Sequence, residues 1–285
     1  MANPVRTEAE VLSSTPEGAY QRLVLHAPAA APRVRPGHFA TVAVGGPLSS
    51  MLLRRAFWIH RADQAAGTVE LLVEERGPGS RELVRARAGE RVDLIAPLGT
   101  PFPLPDGPVS SLLVAVGYAG APLFALAEEI RRDGGEVGFM LGAASSGRLF
   151  GVAQARALTR DVLVVTEDGS AGLTGLVTDP LAQAIKAIDA RVVYACGPLP
   201  LLADISRVSL ELGARCWTAV ETAMACGTGL CATCVLPVVG ADGVSRPTRC
   251  CTDGPVFDGA RVRWSEAGRV PPDPAGAAGA GAVAR

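Results

Sequence analysis

Ser111-Leu-Leu-Val-Ala-Val116-Gly-Tyr-Ala-Gly120-Ala-Pro122 divides this 285-residue chain into two kinds of sequence. The run Ser111–Val116 fits a strand buried on both faces. Glycines at 117 and 120 then turn the chain, and Leu123–Arg132 follows with a helical period. A buried strand, a tight turn and a helix open a parallel sheet with crossover connections. The alternation continues downstream: Glu136–Leu141, Val162–Thr166 and Arg191–Ala195 read as further strands, with helical stretches between them. Residues 106–215 are therefore expected to form an α/β domain. Upstream the pattern is different. Short apolar runs at Tyr20–Leu25, Phe39–Val44, Val69–Val73 and Arg91–Ile95 are separated by Pro and Gly turns with no helical pattern between them. Strands so spaced predict an antiparallel β-barrel over residues 1–105.

The third segment, expected at 216–268, reads Cys226-Gly-Thr-Gly-Leu-Cys231-Ala-Thr-Cys234, with Cys250-Cys251 sixteen residues after the last of these. C-x4-C-x2-C followed by a distant cysteine is the spacing of a plant-type [2Fe–2S] site. Three thiolates within nine residues must converge, and the residues between them are small. Gly227 and Gly229 let the loop curl so that N–H groups point inward, where they stabilise an anionic cluster. Cys250 and Cys251 both qualify as fourth ligand by type, and adjacent residues seldom aim at one metal. Zinc would more often use a second Cys or His knuckle, and His26, His38 and His60 all lie far upstream. A disulfide framework fits poorly, because seven cysteines is an odd number and the start lacks the apolar core of a secretory signal. A cluster moves single electrons and does no bond chemistry itself, so the rest of the chain should supply redox partners.

Formal net charge is −1, which gives no basic field for nucleic acid or anionic lipid. The longest apolar stretch, Leu112–Ala127, is broken by Gly117, Gly120 and Pro122, so no membrane span is expected. These features and the free thiols lead to the expectation of a soluble, cytoplasmic protein. Residues 269–285 are mostly Pro, Ala and Gly and are expected to be a disordered tail.

Four further motifs suit nucleotide cofactors. In Leu53-Arg54-Arg55-Ala56-Phe57-Trp58, Arg55 could neutralise a pyrophosphate and Phe57 could pack near an isoalloxazine; a solvated arginine pair is the plain alternative. Gly77-Pro-Gly79-Ser80 precedes a short helical stretch, Arg81–Arg87, and offers free N–H groups to a phosphate, though an ordinary turn explains it equally well. The loop around Gly117 stands where a phosphate loop would stand on a parallel sheet, without a full G-x-G-x-x-G. The turn Cys196-Gly197-Pro198 leaves a shallow edge where a nicotinamide ring could approach.

In this order the motifs resemble the ferredoxin-reductase-like electron-transfer subunit of the two-subunit, NAD-linked dihydroorotate dehydrogenase, over about residues 5–260. Leu52-Leu-Arg-Arg-Ala-Phe57 is similar to that family's Leu-Leu-Arg-Arg-Pro flavin segment, and Gly77-Pro-Gly-Ser80 to its Gly-x-Gly-Thr turn. Thr166-Glu-Asp-Gly-Ser-Ala-Gly172, Tyr194-Ala-Cys-Gly-Pro198 and Glu221-Thr-Ala-Met-Ala-Cys-Gly227 each match a family segment. Cys251-Thr-Asp-Gly-Pro-Val-Phe257 matches the fourth-ligand segment, and the resemblance selects Cys251 over Cys250. Two places depart from the pattern. Trp58 stands where the family has a small hydroxyl, and Val116, Tyr118 and Ala119 replace residues of a Gly-Gly-Gly-Ile-Gly-x-Ala-Pro loop.

The resemblance implies an oxidoreductase subunit of pyrimidine biosynthesis in a hetero-oligomer. An FMN-containing catalytic partner would oxidise dihydroorotate, and this chain would pass electrons through a [2Fe–2S] cluster and FAD to NAD+. It implies Cys226, Cys231, Cys234 and Cys251 as iron ligands. Arg55, Phe57, Gly77, Gly79 and Ser80 would hold FAD, and Gly117, Cys196, Gly197 and Pro198 would border the nicotinamide nucleotide. No residue is expected to be a proton-transfer catalyst, since the cofactors carry the chemistry. The alternatives are a related iron–sulfur flavoprotein reductase serving another partner, such as a hydrogenase or ferredoxin-linked complex, and a diverged subunit without NAD turnover.

Overall fold

The computed structural model describes residues 3–46 and 49–268. The tail expected at 269–285 lies outside the described residues. The first segment contains β1 (Val5–Glu17), β2 (Tyr20–His26), β3 (Phe39–Val42), β4 (Arg55–Asp63), β5 (Thr68–Val73), a short helix α1 (Pro78–Val84) and β6 (Arg91–Leu98). The six strands close into an antiparallel barrel in the order β1-β2-β5-β4-β3-β6. Alternating side chains point inward, and Val11, Leu23, Leu25, Leu71 and Leu94 fill the interior. The helix begins at Pro78, three residues earlier than the sequence suggested, because proline's fixed φ suits a first helical turn.

The second segment runs β7 (Ser111–Val116), α2 (Ala121–Arg132), β8 (Val137–Ala143), α3 (Val152–Leu158), β9 (Val162–Thr166), β10 (Leu173–Thr174), α4 (Leu181–Ala187), β11 (Val192–Gly197), α5 (Leu199–Glu211) and β12 (Arg215–Val220). These strands are parallel and ordered β10-β9-β8-β7-β11-β12. Every residue of β8 is buried, as expected for a strand covered on both faces. On α2, Leu123, Phe124, Leu126, Ala127 and Ile130 form the buried stripe. Strand order reverses between β7 and β11, so the sheet's crevice opens at their carboxyl ends.

The third segment supplies a hairpin, β13 (Val235–Val239) with β14 (Ser245–Arg249), and then β15 (Val256–Asp258). β15 pairs antiparallel with β12, Ala219 opposite Val256, and so becomes the edge of the nucleotide sheet. β12 itself carries the parallel sheet to Val220, five residues past the expected boundary at 215.

Barrel and sheet share one core, in which Phe39, Trp58 and Leu98 pack with residues of β7 and β11. His60 on β4 reaches across the seam, its Nδ1 2.8 Å from the Ala121 carbonyl and its ring edge-on to Phe124 and Phe150. Burial pushes the His60 pKa down to about 4, so it packs there as a neutral ring. The Tyr20 hydroxyl donates to the Arg148 carbonyl at 2.6 Å across the same seam. Among the described residues no helix is long and apolar enough to cross a membrane.

Candidate functional site

Where barrel, sheet and third segment meet, they leave an open cavity of about 810 Å³. Its barrel wall comes from β4 and from the turn between β5 and α1. The sheet contributes Tyr118, after β7, and Pro198–Pro200, after β11. The floor is Val220–Met224, the stretch that leads into the cysteine loop. Arg55, Phe57, Gly77, Gly79, Ser80 and Pro198 all line it. These expected residues lie up to about 140 positions apart in the chain.

The turn at 77–80 fits a phosphate-bearing group. The Arg55 side chain lies across Gly79: a Cβ added at 79 would stand 2.8 Å from Arg55 Nε and 3.0 Å from Val44 Cγ2. Only glycine leaves the backbone and the guanidinium side by side at the wall, where together they can clasp an anion. Ser80 lines the cavity and also shapes the turn. Its Oγ accepts the N–H groups of Arg76 and Gly77 at 2.8 and 3.1 Å.

Gly117, Cys196 and Gly197 are not on the cavity wall. Gly117 adopts φ +55°, and a Cβ there would press on the Tyr20 hydroxyl at 3.1 Å. Cys196 is fully buried between the neighbouring strands β7 and β12. Burial, and then the nearby charge of Glu221, raise its thiol pKa well above the ordinary value, so it stays protonated.

Side chains that the sequence left without a role stand in the cavity. Glu221 accepts a hydrogen bond from Trp58 Nε1 at 2.9 Å on Oε1 and from the Tyr118 hydroxyl at 3.1 Å on Oε2. Burial raises the Glu221 pKa, against the opposing pull of those two donors. The Arg76 guanidinium lies over the Tyr118 ring, 4.9 Å from its centroid, and pairs with buried Glu74, which also binds Arg148. Trp58 and Tyr118 were visible only as departures from a pattern. That both reach one carboxylate 163 and 103 residues away is a tertiary fact.

The cysteine loop lies immediately beyond the floor. Gly227 (φ +70°) and Gly229 (φ +86°) give it its curl, and a Cβ at 227 would strike Thr41 Cγ2 of the barrel at 2.7 Å. The Thr228 N–H points at Cys226 Sγ at 3.4 Å, and Thr233 Oγ1 donates to Cys231 Sγ at 3.1 Å. Burial acts against it, but N–H donors from Thr228 and Cys231 hold the Cys226 thiol down at about 6. Among the described residues no three His, Cys, Asp or Glu side chains surround a single point, as a mononuclear ion requires. The Cys226 thiol neighbours Cys231, and the Cys251 thiol neighbours both Cys234 and Cys226. Thiolates are the donors a [2Fe–2S] group takes, four to a cluster, so the donor set fits by its chemistry. Cys250 and Cys251 are both buried.

Residues 221–263 match the family model for the iron–sulfur cluster binding domain of dihydroorotate dehydrogenase B. The chain is 34% identical over 229 residues to the dihydroorotate dehydrogenase B (NAD(+)) electron transfer subunit of Geobacillus thermodenitrificans, covering 80% of this chain and 86% of that one. It belongs to that family. The Shouchella clausii subunit is likewise 34% identical, over 78% of this chain and 84% of the relative. Among solved structures, the NADH-dependent reduced ferredoxin–NADP oxidoreductase studied for flavin-based electron bifurcation superposes with a TM-score of 0.80. It shares 25% identity, over 92% of this chain and 91% of that one. A ferredoxin NADP+ reductase from Neisseria gonorrhoeae, 20% identical over 73% of this chain and 92% of its own, shares the fold with a TM-score of 0.61. The chain is thus an oxidoreductase subunit that transfers electrons, and such a subunit implies a catalytic partner. The expected barrel, parallel sheet and iron–sulfur segment are all present.

Proposed function

We propose that this chain connects a dihydroorotate-oxidising, FMN-containing partner subunit to NAD+. The cofactors are a [2Fe–2S] cluster on Cys226, Cys231, Cys234 and Cys251, FAD in the 810 Å³ cavity, and NAD at the crevice between β7 and β11. When bound, the cluster supplies one-electron steps and the flavin exchanges one-electron for two-electron chemistry. The protein's own residues bind, orient and separate. Arg55 and the Gly77–Gly79 backbone clasp an anionic group, and Phe57 gives an apolar wall. Pro198 shapes the nucleotide side. No side chain is needed as a proton-transfer catalyst.

One observation carries this reading: the cavity floor runs straight into the cysteine loop. Met224 lines the cavity, and Cys226 is the first ligand two residues later. Phe39 lines the same cavity and lies within 3.7 Å of a Cβ built on Gly227. The loop's outer side is open, with Leu230 88% exposed beside exposed Cys231. Electrons therefore have an entry face on one side of the loop and a cofactor cavity on the other.

The test is anaerobic co-purification with the catalytic partner. The complex should be yellow-brown, NADH should bleach both flavin and iron–sulfur absorbance, and dihydroorotate should drive NAD+ reduction. A colourless complex, or one whose cluster stays oxidised when its flavin is reduced, would overturn the assignment.

A further inference from the structure

The two places where the chain departs from its family's pattern are joined. Trp58 comes from the barrel and Tyr118 from the turn after β7, and both donate to Glu221 at the head of the third segment. Tyr118 is restrained on other sides too. Arg76 caps one face of its ring at 4.9 Å, and the Tyr20 ring lies 5.8 Å away, tilted by 49°. A ring so covered is no free platform for stacking.

Its position gives this restraint a consequence. A nucleotide lying over the carboxyl ends of β7 and β11 reaches the cavity between the walls those strands carry. One wall is Tyr118 and the other is Pro198 and Leu199. We propose that Tyr118 is a latched gate that sets nucleotide affinity: the nicotinamide end enters the flavin cavity as the Tyr118 hydroxyl lets go of Glu221. Opening forfeits a hydrogen bond to a carboxylate and a cation–π contact, and that cost is subtracted from nucleotide binding. Trp58 keeps its own bond to Glu221 throughout, so the carboxylate stays in place for the latch to re-form. The inference rests on the assignment of the cavity to FAD and NAD.

The experiment is equilibrium titration of the full, FAD-loaded chain with NADH, for the natural protein, Tyr118→Phe and Tyr118→Ala. Bound FAD per chain is measured alongside, to show that the cavity is intact. Removing the hydroxyl should tighten NADH binding by about tenfold, the equivalent of roughly 1.4 kcal/mol. The alanine variant should bind at least as tightly as the phenylalanine one. A dissociation constant that is unchanged or weaker in either variant, with FAD retained, overturns the gate. Should all three hold FAD and none bind NADH, the nucleotide assignment itself fails and takes the gate with it. Binding by the variants alone would be the strongest support.

Discussion

The cysteine loop and the cavity proposed for flavin share a wall, yet they are built in opposite ways. The loop is local: three of its thiols lie within nine residues, and left-handed glycines at 227 and 229 curl the chain between them. The cavity is assembled from β4, the turn before α1, the loop after β7 and the stretch after β12. The first depends on what occupies it, and the second on packing across three segments. Disturbing one should therefore leave the other standing.

The sharpest break of that comparison is also the largest effect. Cys251→Ser should abolish iron–sulfur absorbance and lower iron per chain, while FAD stays bound and Cys250→Ser keeps its cluster. Loss of flavin together with iron would show that the two sites are one. A smaller effect is expected at the cavity. Gly79→Ala puts a methyl group 2.8 Å from Arg55 Nε and pushes the guanidinium off the wall. FAD should bind at least about tenfold more weakly, roughly 1.4 kcal/mol, with iron content unchanged. Flavin titration of the apoprotein measures it.

The smallest effect is a pH dependence inside the cavity. Burial raises the Glu221 pKa above its ordinary value of 4.5, so the folded chain holds that proton more tightly than the unfolded one. Its contribution to stability is full below the ordinary value and is lost as pH climbs through the raised one. Glu221→Gln cannot ionise. It should melt with the natural protein at low pH and above it in mild alkali, by less than about 1 kcal/mol, the net worth of one hydrogen bond. Thermal melts across that range decide it; a variant less stable in alkali than in acid, relative to the natural chain, would show that the charged form is favoured.

The same contrast explains what was legible in the sequence. Cysteine spacing is local information, and the motif that carries it falls inside the stretch matched by the iron–sulfur family model. The β7-to-α2 turn and the alternation after it were equally plain, because a fully buried strand leaves a continuous apolar run. β1 left a fainter trace. Its residues alternate between the barrel interior and solvent, and Thr7, Glu8 and Glu10 break the apolar pattern. The motif Arg55 to Phe57 and the turn Gly77 to Ser80 could be quoted from the sequence, but their convergence could not. Glu221 was hardest to see. It lies in a matched segment, yet its work depends on donors from two distant loops. Cys196 stands out as a motif residue, and the structure places its side chain wholly inside the sheet.

β15 has a consequence of its own. An uncovered sheet edge is a template on which foreign strands can grow. The segment that binds iron also hems that edge, through the pairing of Val256–Asp258 with Trp217–Ala219. Pruning the chain at residue 221, where the iron–sulfur family model begins, would fray the remaining reductase along β12. The stretch that carries the iron–sulfur motif therefore also supplies the last strand of the reductase sheet.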